Sequence, residues 1–219
     1  MAPADITLYG IVDPARARGR ALPELVRQAV TGGATLIQYR NKTGTTRAMV
    51  EEAHAIAAAL AGTGVPIIVN DRVDVALACG AAGAHLGQED MHPAAARAIL
   101  GEGAVIGLSI KTEAEARSAP LDVVDHVFIG GVFETASKDN PAAIGVEGWR
   151  RLAAIVRERA PGLPVGAIAG IDATNAGSLV AAGADGVAVI SALFMADDVE
   201  AAARDLRRLI DQAQAGPAA

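Results

Sequence analysis

Short runs rich in Val and Ile alternate with longer Ala-rich stretches along the chain, and this alternation limits the fold more than any single motif does. The runs 5–12 (DITLYGIV), 34–39 (ATLIQY), 65–70 (VPIIVN), 84–87 (AHLG), 104–109 (AVIGLS), 125–130 (DHVFIG), 164–169 (PVGAIA) and 186–190 (GVAVI) read as strands. Helices fit 21–31, 45–61, 72–79, 93–100, 112–118, 147–159, 173–181 and 197–213. Short continuous apolar runs suit parallel strands covered by helices, which are buried on both faces. The phrases GGATLIQ, AGAHLG and AGADGVAV share one arrangement, in which a Gly ends a helix and a strand follows almost at once. Eight strand–helix pairs in 219 residues give units of about 27 residues, near the lower end for a (β/α)8 barrel. The expected fold is therefore α/β, a single-domain TIM barrel over residues 1–219, with the last ~6 residues, in QAQAGPAA, fraying. A doubly wound open sheet is the alternative, because periodicity alone does not close a barrel. Both folds collect ligands at the carboxyl ends of the strands.

Those strand ends are unusually polar. In LIQYRNK, Leu36 shares one face of an extended chain with Gln38, Arg40 and Lys42, so hydrocarbon gives way to amide, guanidinium and ammonium within a few residues. Asn70 and Asp71 follow strand three, Gln88, Glu89 and Asp90 follow strand four, and Ser109 and Lys111 end strand five. Strand six leads into GVFETASKDN, with Thr135, Ser137 and Lys138, while strands seven and eight end in AGI (169–171) and VIS (189–191). Nineteen cationic residues include only three lysines, Lys42, Lys111 and Lys138, and all three fall in this set.

Such a mouth suits polyanions. Lys and Arg supply charged donors for phosphate oxygens, and hydroxyls and backbone N–H groups add neutral ones. Gly170 before a helix, and Ile190–Ser191 at the last turn, are placed like the barrel phosphate site after strands seven and eight. Asp71 and Asp90 on adjacent strand ends suit Mg²⁺, a hard ion that prefers oxygen ligands. Plainer readings exist for each. Asp71 and Asp90 could cap the helices that follow, Gln38–Arg40–Lys42 could be a solvated strand end, and Thr135 and Ser137 could be turn formers. Gly170 could allow a tight turn and Ser191 could be an N-cap. His85, inside a short strand, reads as a hydrogen-bonded structural histidine, and Trp149 as a helix residue packed on the barrel.

A net charge of −6 opposes a general nucleic-acid-binding surface. No apolar run reaches the ~18–20 residues that cross a bilayer, and MAPADITLYG lacks the basic and apolar regions of a signal peptide. Cys79 is the single cysteine, so no internal disulfide forms. A cytoplasmic protein without membrane or nucleic-acid partners, forming a monomer or a homo-oligomer, is the expectation.

QYRNK, ND, HLGQED, GLS, GGVFETASK, AGI and VIS, in that order, resemble the thiamine phosphate synthase family over about residues 6–195. The resemblance implies a transferase that joins 4-amino-2-methyl-5-(hydroxymethyl)pyrimidine diphosphate to a thiazole phosphate, carboxylated or not, releasing pyrophosphate. It implies that Gln38, Arg40 and Lys42, with Tyr39 and Asn41 in the same run, meet the aminopyrimidine and its diphosphate. Asn70 and Lys138 belong to the same diphosphate, Lys138 as it departs, and Ser109 to the pyrimidine. Asp71 and Asp90 match the Mg²⁺ ligands, and Thr135, Ala136, Ser137, Gly170, Ile190 and Ser191 the thiazole phosphate site. The family usually has GPVF and AIGGI where this chain has GGVF and AIAGI. Lys111 stands at a variable position and is left outside the site. Rivals are a thiazole tautomerase on the same fold, a phosphate-binding barrel without catalysis, and a sugar-phosphate epimerase.

Overall fold

The computed structural model describes residues 4–134 and 143–216, and its eight strands close into one parallel barrel in sequence order. The strands are β1 (Leu8–Val12), β2 (Leu36–Tyr39), β3 (Ile67–Asn70), β4 (Gly83–Leu86), β5 (Val105–Ile110), β6 (His126–Ile129), β7 (Val165–Ile168) and β8 (Val187–Val189). Closure rests on β1 pairing with β8 in the register Leu8 to Val187, Tyr9 to Ala188 and Gly10 to Val189, which removes the open-sheet alternative. The helices are α1 (Leu22–Thr31), α2 (Thr46–Leu60), α3 (Val73–Cys79), α4 (Pro93–Leu100), α5 (Glu113–Ser118), α6 (Gly145–Arg159), α7 (Ala176–Ala181), α8 (Ser191–Phe194) and α9 (Val199–Gln214).

Each strand divides its side chains between two cores. Leu8, Ile37, Val69, Ile106, Val127 and Val187 face outward and pack under the helices. Tyr9, Leu36, Ile68, Val105, Phe128 and Ala188 fill the barrel interior. Register keeps the inward set together: Tyr9 pairs with Leu36, Gln38 with Ile68, His85 with Gly107 and Gly107 with His126. Gly107 is required by space. A Cβ there would lie 2.3 Å from both His126 Nε2 and His85 Nδ1, so the two imidazoles occupy the volume that a side chain would need.

Most differences from the sequence expectation lie at element ends. β1 begins at Leu8 because Thr7 N–H turns back to Asp5 Oδ1 (2.9 Å) instead of joining a ladder. β3 begins at Ile67 because Pro66 has no N–H to donate. α9 runs to Gln214, into the segment expected to fray. The one-turn α8 was not expected, since four residues are too few to show a period. Thr45 caps α2 through Ala48 N–H, and Thr112 with Glu115 forms a reciprocal capping box on α5. Trp149 is fully buried against the barrel and donates from Nε1 to Gly166 O (3.2 Å).

Candidate active site

The inward row of β2 changes chemistry as it climbs toward the mouth. Leu36 is core, while Gln38 is buried and donates from Nε2 to the Tyr9 hydroxyl at 2.6 Å. Complete burial pushes the Tyr9 phenol pKa up, so it stays a neutral hydrogen-bonding group. Arg40 opens toward the cavity and pairs with the buried Asp13. β5 repeats the pattern: Val105, Gly107, Ser109 and Lys111 are alternate residues, passing from packed interior to hydroxyl to ammonium. Ser109 Oγ lies 2.9 Å from His85 Nε2, and Gln88 Nε2 donates to Ser109 O at 2.7 Å. Two residues of HLGQED thus hold Ser109 in place.

Asp71 and Asp90 follow β3 and β4 and, like Lys42, lie outside the residues that line the cavity; neither caps a helix. The N-cap of α3 is Arg72, without a side-chain cap, and that of α4 is His92, whose Nδ1 accepts from Ala94 N–H. Asp71 instead pairs with Lys42, and Asp90 Oδ2 accepts from Gly87 N–H at 2.7 Å. Asp71 adopts φ 60°, a costly conformation for a residue with a side chain. Burial pushes its carboxyl above the ordinary value; the neighbouring Asp90 adds to that rise and the Lys42 ammonium opposes it. Two carboxylates this close repel when both are ionised, and in this structure the Lys42 ammonium is what offsets that repulsion. Two carboxylates are the kind of donor a hard divalent cation such as Mg²⁺ takes, though among the described residues no third acidic, His or Cys side chain joins them.

Across the mouth, Gly170, Ile190 and Ser191 line the same cavity as Gln38, Arg40 and Asn70. Gly170 has φ 67°, and a Cβ on it would lie 2.4 Å from Glu134 O, so the segment after β6 packs directly on this turn. Ile190 holds the N-cap position of α8 and Ser191 is its first helical residue. The far end of α8 is clamped by arginines from the β1–α1 loop. Arg18 donates to Met195 O (3.1 Å) and Arg20 to Ala196 O (2.8 Å), so the turn cannot drift freely.

The structure does not bring every expected residue to the mouth. Tyr39 points outward, where its hydroxyl meets Glu52 of α2 and burial pushes its pKa up. The Asn41 side chain bridges Glu52 and the backbone N–H groups of Thr43 and Gly44, shaping the loop that carries Lys42. Thr135, Ala136, Ser137 and Lys138 lie outside the described residues. Lys111, left out on sequence grounds, does line the cavity, as do His85, Tyr9 and Phe128 on its floor. His85 was legible as inward-facing from the alternation of β4, but its tie to Ser109 is not a sequence property.

Known proteins resemble this chain in sequence and in fold. The thiamine monophosphate synthase family model matches residues 8–193. The chain belongs to that family. A thiamine-phosphate synthase of Agrobacterium fabrum is 52% identical over 210 residues, covering 95% of this chain and 96% of that protein. One of Chloroflexus aurantiacus is 44% identical over 211 residues, covering 96% and 95%. A solved structure of thiamine phosphate pyrophosphorylase from Pyrococcus furiosus superposes with a TM-score of 0.84 at 36% identity, covering 96% of this chain and 98% of that one. Ala169 carries φ 89°, so this chain holds an alanine in a conformation that glycine adopts without strain. Its carbonyl accepts from Phe133 N–H at 3.1 Å.

Proposed function

We propose that this member of the thiamine monophosphate synthase family joins the aminopyrimidine diphosphate to a thiazole phosphate, forming thiamine phosphate and pyrophosphate. One observation carries the reading: Gln38, Arg40, Asn70, Ser109, Gly170 and Ser191, from five strand ends, line a single cavity over an aromatic floor. Tyr9 and Phe128 offer that floor to a flat heterocycle, and Gln38 and Ser109 offer edge hydrogen bonds to its ring nitrogens and amino group. Arg40, Lys42 and Asn70, with Lys138, take the diphosphate. Gly170, Ile190 and Ser191, with Thr135 and Ser137, take the thiazole phosphate on the opposite side.

The reaction breaks the bond between the pyrimidine methylene and the diphosphate oxygen, the electron pair leaving with the diphosphate. The thiazole nitrogen lone pair then forms the new bond to that carbon. No strong protein base is needed. The work is electrostatic stabilisation of the pyrophosphate anion, which gains one negative charge as it leaves, and alignment of two substrates. Asp71 and Asp90 would hold Mg²⁺, which when bound supplies further positive charge to the departing oxygens. Lys42 answers to two anions, Asp71 in the free protein and the diphosphate in the complex.

Purified protein with both substrates and Mg²⁺ is expected to form thiamine phosphate, measured against a control without protein. Product no greater than in that control sinks the proposal. Binding of the thiazole phosphate without pyrophosphate release would favour a non-catalytic barrel. Asp71→Asn is expected to raise the Mg²⁺ concentration for half-maximal rate by roughly 10–100-fold or more, since loss of even an outer-shell partner costs about that. Identical metal titrations for the variant and the parent protein would remove Asp71 from the metal site.

A further inference from the structure

Asp13 is one of the few charged side chains buried in the described structure, at 4% exposure, and it stands beside the mouth. It follows β1 as Arg40 follows β2. The last register pair of these strands is Val12 with Tyr39, and Arg40 N–H continues the ladder to Val12 O at 2.9 Å. Asp13 and Arg40 therefore occupy neighbouring positions one step beyond the paired strands, on the inward face. The two carboxylate oxygens of Asp13 are used differently. Oδ1 accepts from Ala15 N–H at 2.9 Å, at the start of a short 3₁₀ turn (Pro14–Arg16), and Oδ2 pairs with Arg40 Nη1. The carboxylate is thus fixed by the backbone before it engages the guanidinium.

We propose that Asp13 is a positioning residue: it locks the Arg40 guanidinium at the mouth so that the remaining N–H groups present a fixed fork to the diphosphate of the substrate. The diphosphate rests on the function proposed above; the clamp itself rests on the geometry. A guanidinium has five donors in one plane, so fixing one nitrogen sets the direction of the others. A long cationic side chain without such a partner would spend rotamer entropy on binding. The contrast with Lys42 supports the assignment. The partner of Lys42 is Asp71, a carboxylate that a metal would claim, whereas Asp13 is buried and tied to its own turn, so its hold on Arg40 persists when ligands arrive.

Asp13→Asn keeps the acceptor for Ala15 N–H and removes the charge that holds Arg40. It is expected to lower kcat/KM for the pyrimidine diphosphate by roughly 10–100-fold, the effect of one charge-assisted contact. KM for the thiazole phosphate should stay within about twofold, as its site lies across the mouth. The Kd of inorganic pyrophosphate, measured by calorimetry with Mg²⁺, should rise by a similar 10–100-fold. In an Arg40→Gln background, Asp13→Asn should add less than about twofold to either quantity, because its effect passes through the arginine. Asp13→Glu, which keeps the charge but displaces it, should show the same split between substrates and serves if Asp13→Asn does not fold. Wild-type values for Asp13→Asn, equal losses for both substrates, or a full further loss in the Arg40→Gln background would overturn the proposal. A wild-type protein that makes no thiamine phosphate yet shows the pyrophosphate coupling would sink the function and leave the clamp standing.

Discussion

Gly107→Ala is expected to lower the melting temperature by roughly 6–12 °C and to cut synthase activity with it. The added Cβ would meet His126 Nε2 and His85 Nδ1 at 2.3 Å and His126 Cε1 at 2.8 Å. Neither ring has an easy retreat. His126 is fully buried, with Tyr9 at 5.9 Å and Phe128 at 5.6 Å between ring centroids, and His85 stacks on it at 5.7 Å. Overpacking a tight interior costs about 1–3 kcal/mol, and the crowding of two rings by one methyl places this site at the upper end. At ~2–4 °C per kcal/mol for a chain of this size, the shift follows. The activity loss has a separate cause: moving His85 disturbs its hydrogen bond to Ser109 Oγ. A Gly107→Ala protein with unchanged melting and unchanged rate would mean that the barrel interior yields there at little cost. Melting that falls while kcat/KM holds would separate the packing role of His85 from any role through Ser109.

That site shows how much the sequence discloses. The strand count and the inward face of LIQYRNK follow from spacing, because alternation and apolar runs are local properties of a strand. Barrel closure does not follow, since the β1–β8 pairing joins the two ends of the chain. The caps that Asp71 and Asp90 could have formed are local too, yet tertiary partners prevailed: Lys42 for one, Gly87 N–H for the other. Tyr39 and Asn41 share a motif with Gln38 and Arg40 but face the helix layer, where Glu52 of α2 takes them. A motif quotes neighbours in sequence; a strand sends every second one to the opposite side. Asp13 illustrates the converse. It is an ordinary turn-starting aspartate by position, and only the register of β1 on β2 brings it to Arg40. Lys111 falls two residues after Ser109 and so on the same face, and only its variable position in the family kept it out of the expected site; it lines the cavity.

The histidine beneath the mouth makes the second large prediction. Among the described residues neither ring nitrogen of His126 has a hydrogen-bond partner, and burial lowers its pKa to about 4, partly opposed by Asp125. The ordinary value for a histidine is 6.5. In the unfolded chain His126 takes up a proton as pH falls through that value, while in the fold it stays neutral until about 4. Between these limits the unfolded state binds more protons, so stability falls as pH falls through this window. The contribution is fully present above pH ~6.5 and is lost toward pH ~4. At ~1.4 kcal/mol per pKa unit, wild-type protein should lose roughly 2–3 kcal/mol between pH 7 and 4.5 through this group alone. His126→Leu, apolar and of similar bulk, removes the titration while leaving the other ionisable groups in place. Urea unfolding of both proteins at the two pH values isolates the effect, since the other ionisable groups are common to both. The wild-type loss should exceed that of His126→Leu by about 2–3 kcal/mol at constant m-value. Parallel pH dependences would mean that the folded barrel accepts a proton on His126, and that its interior floor is wetter and more polar than its aromatic packing implies.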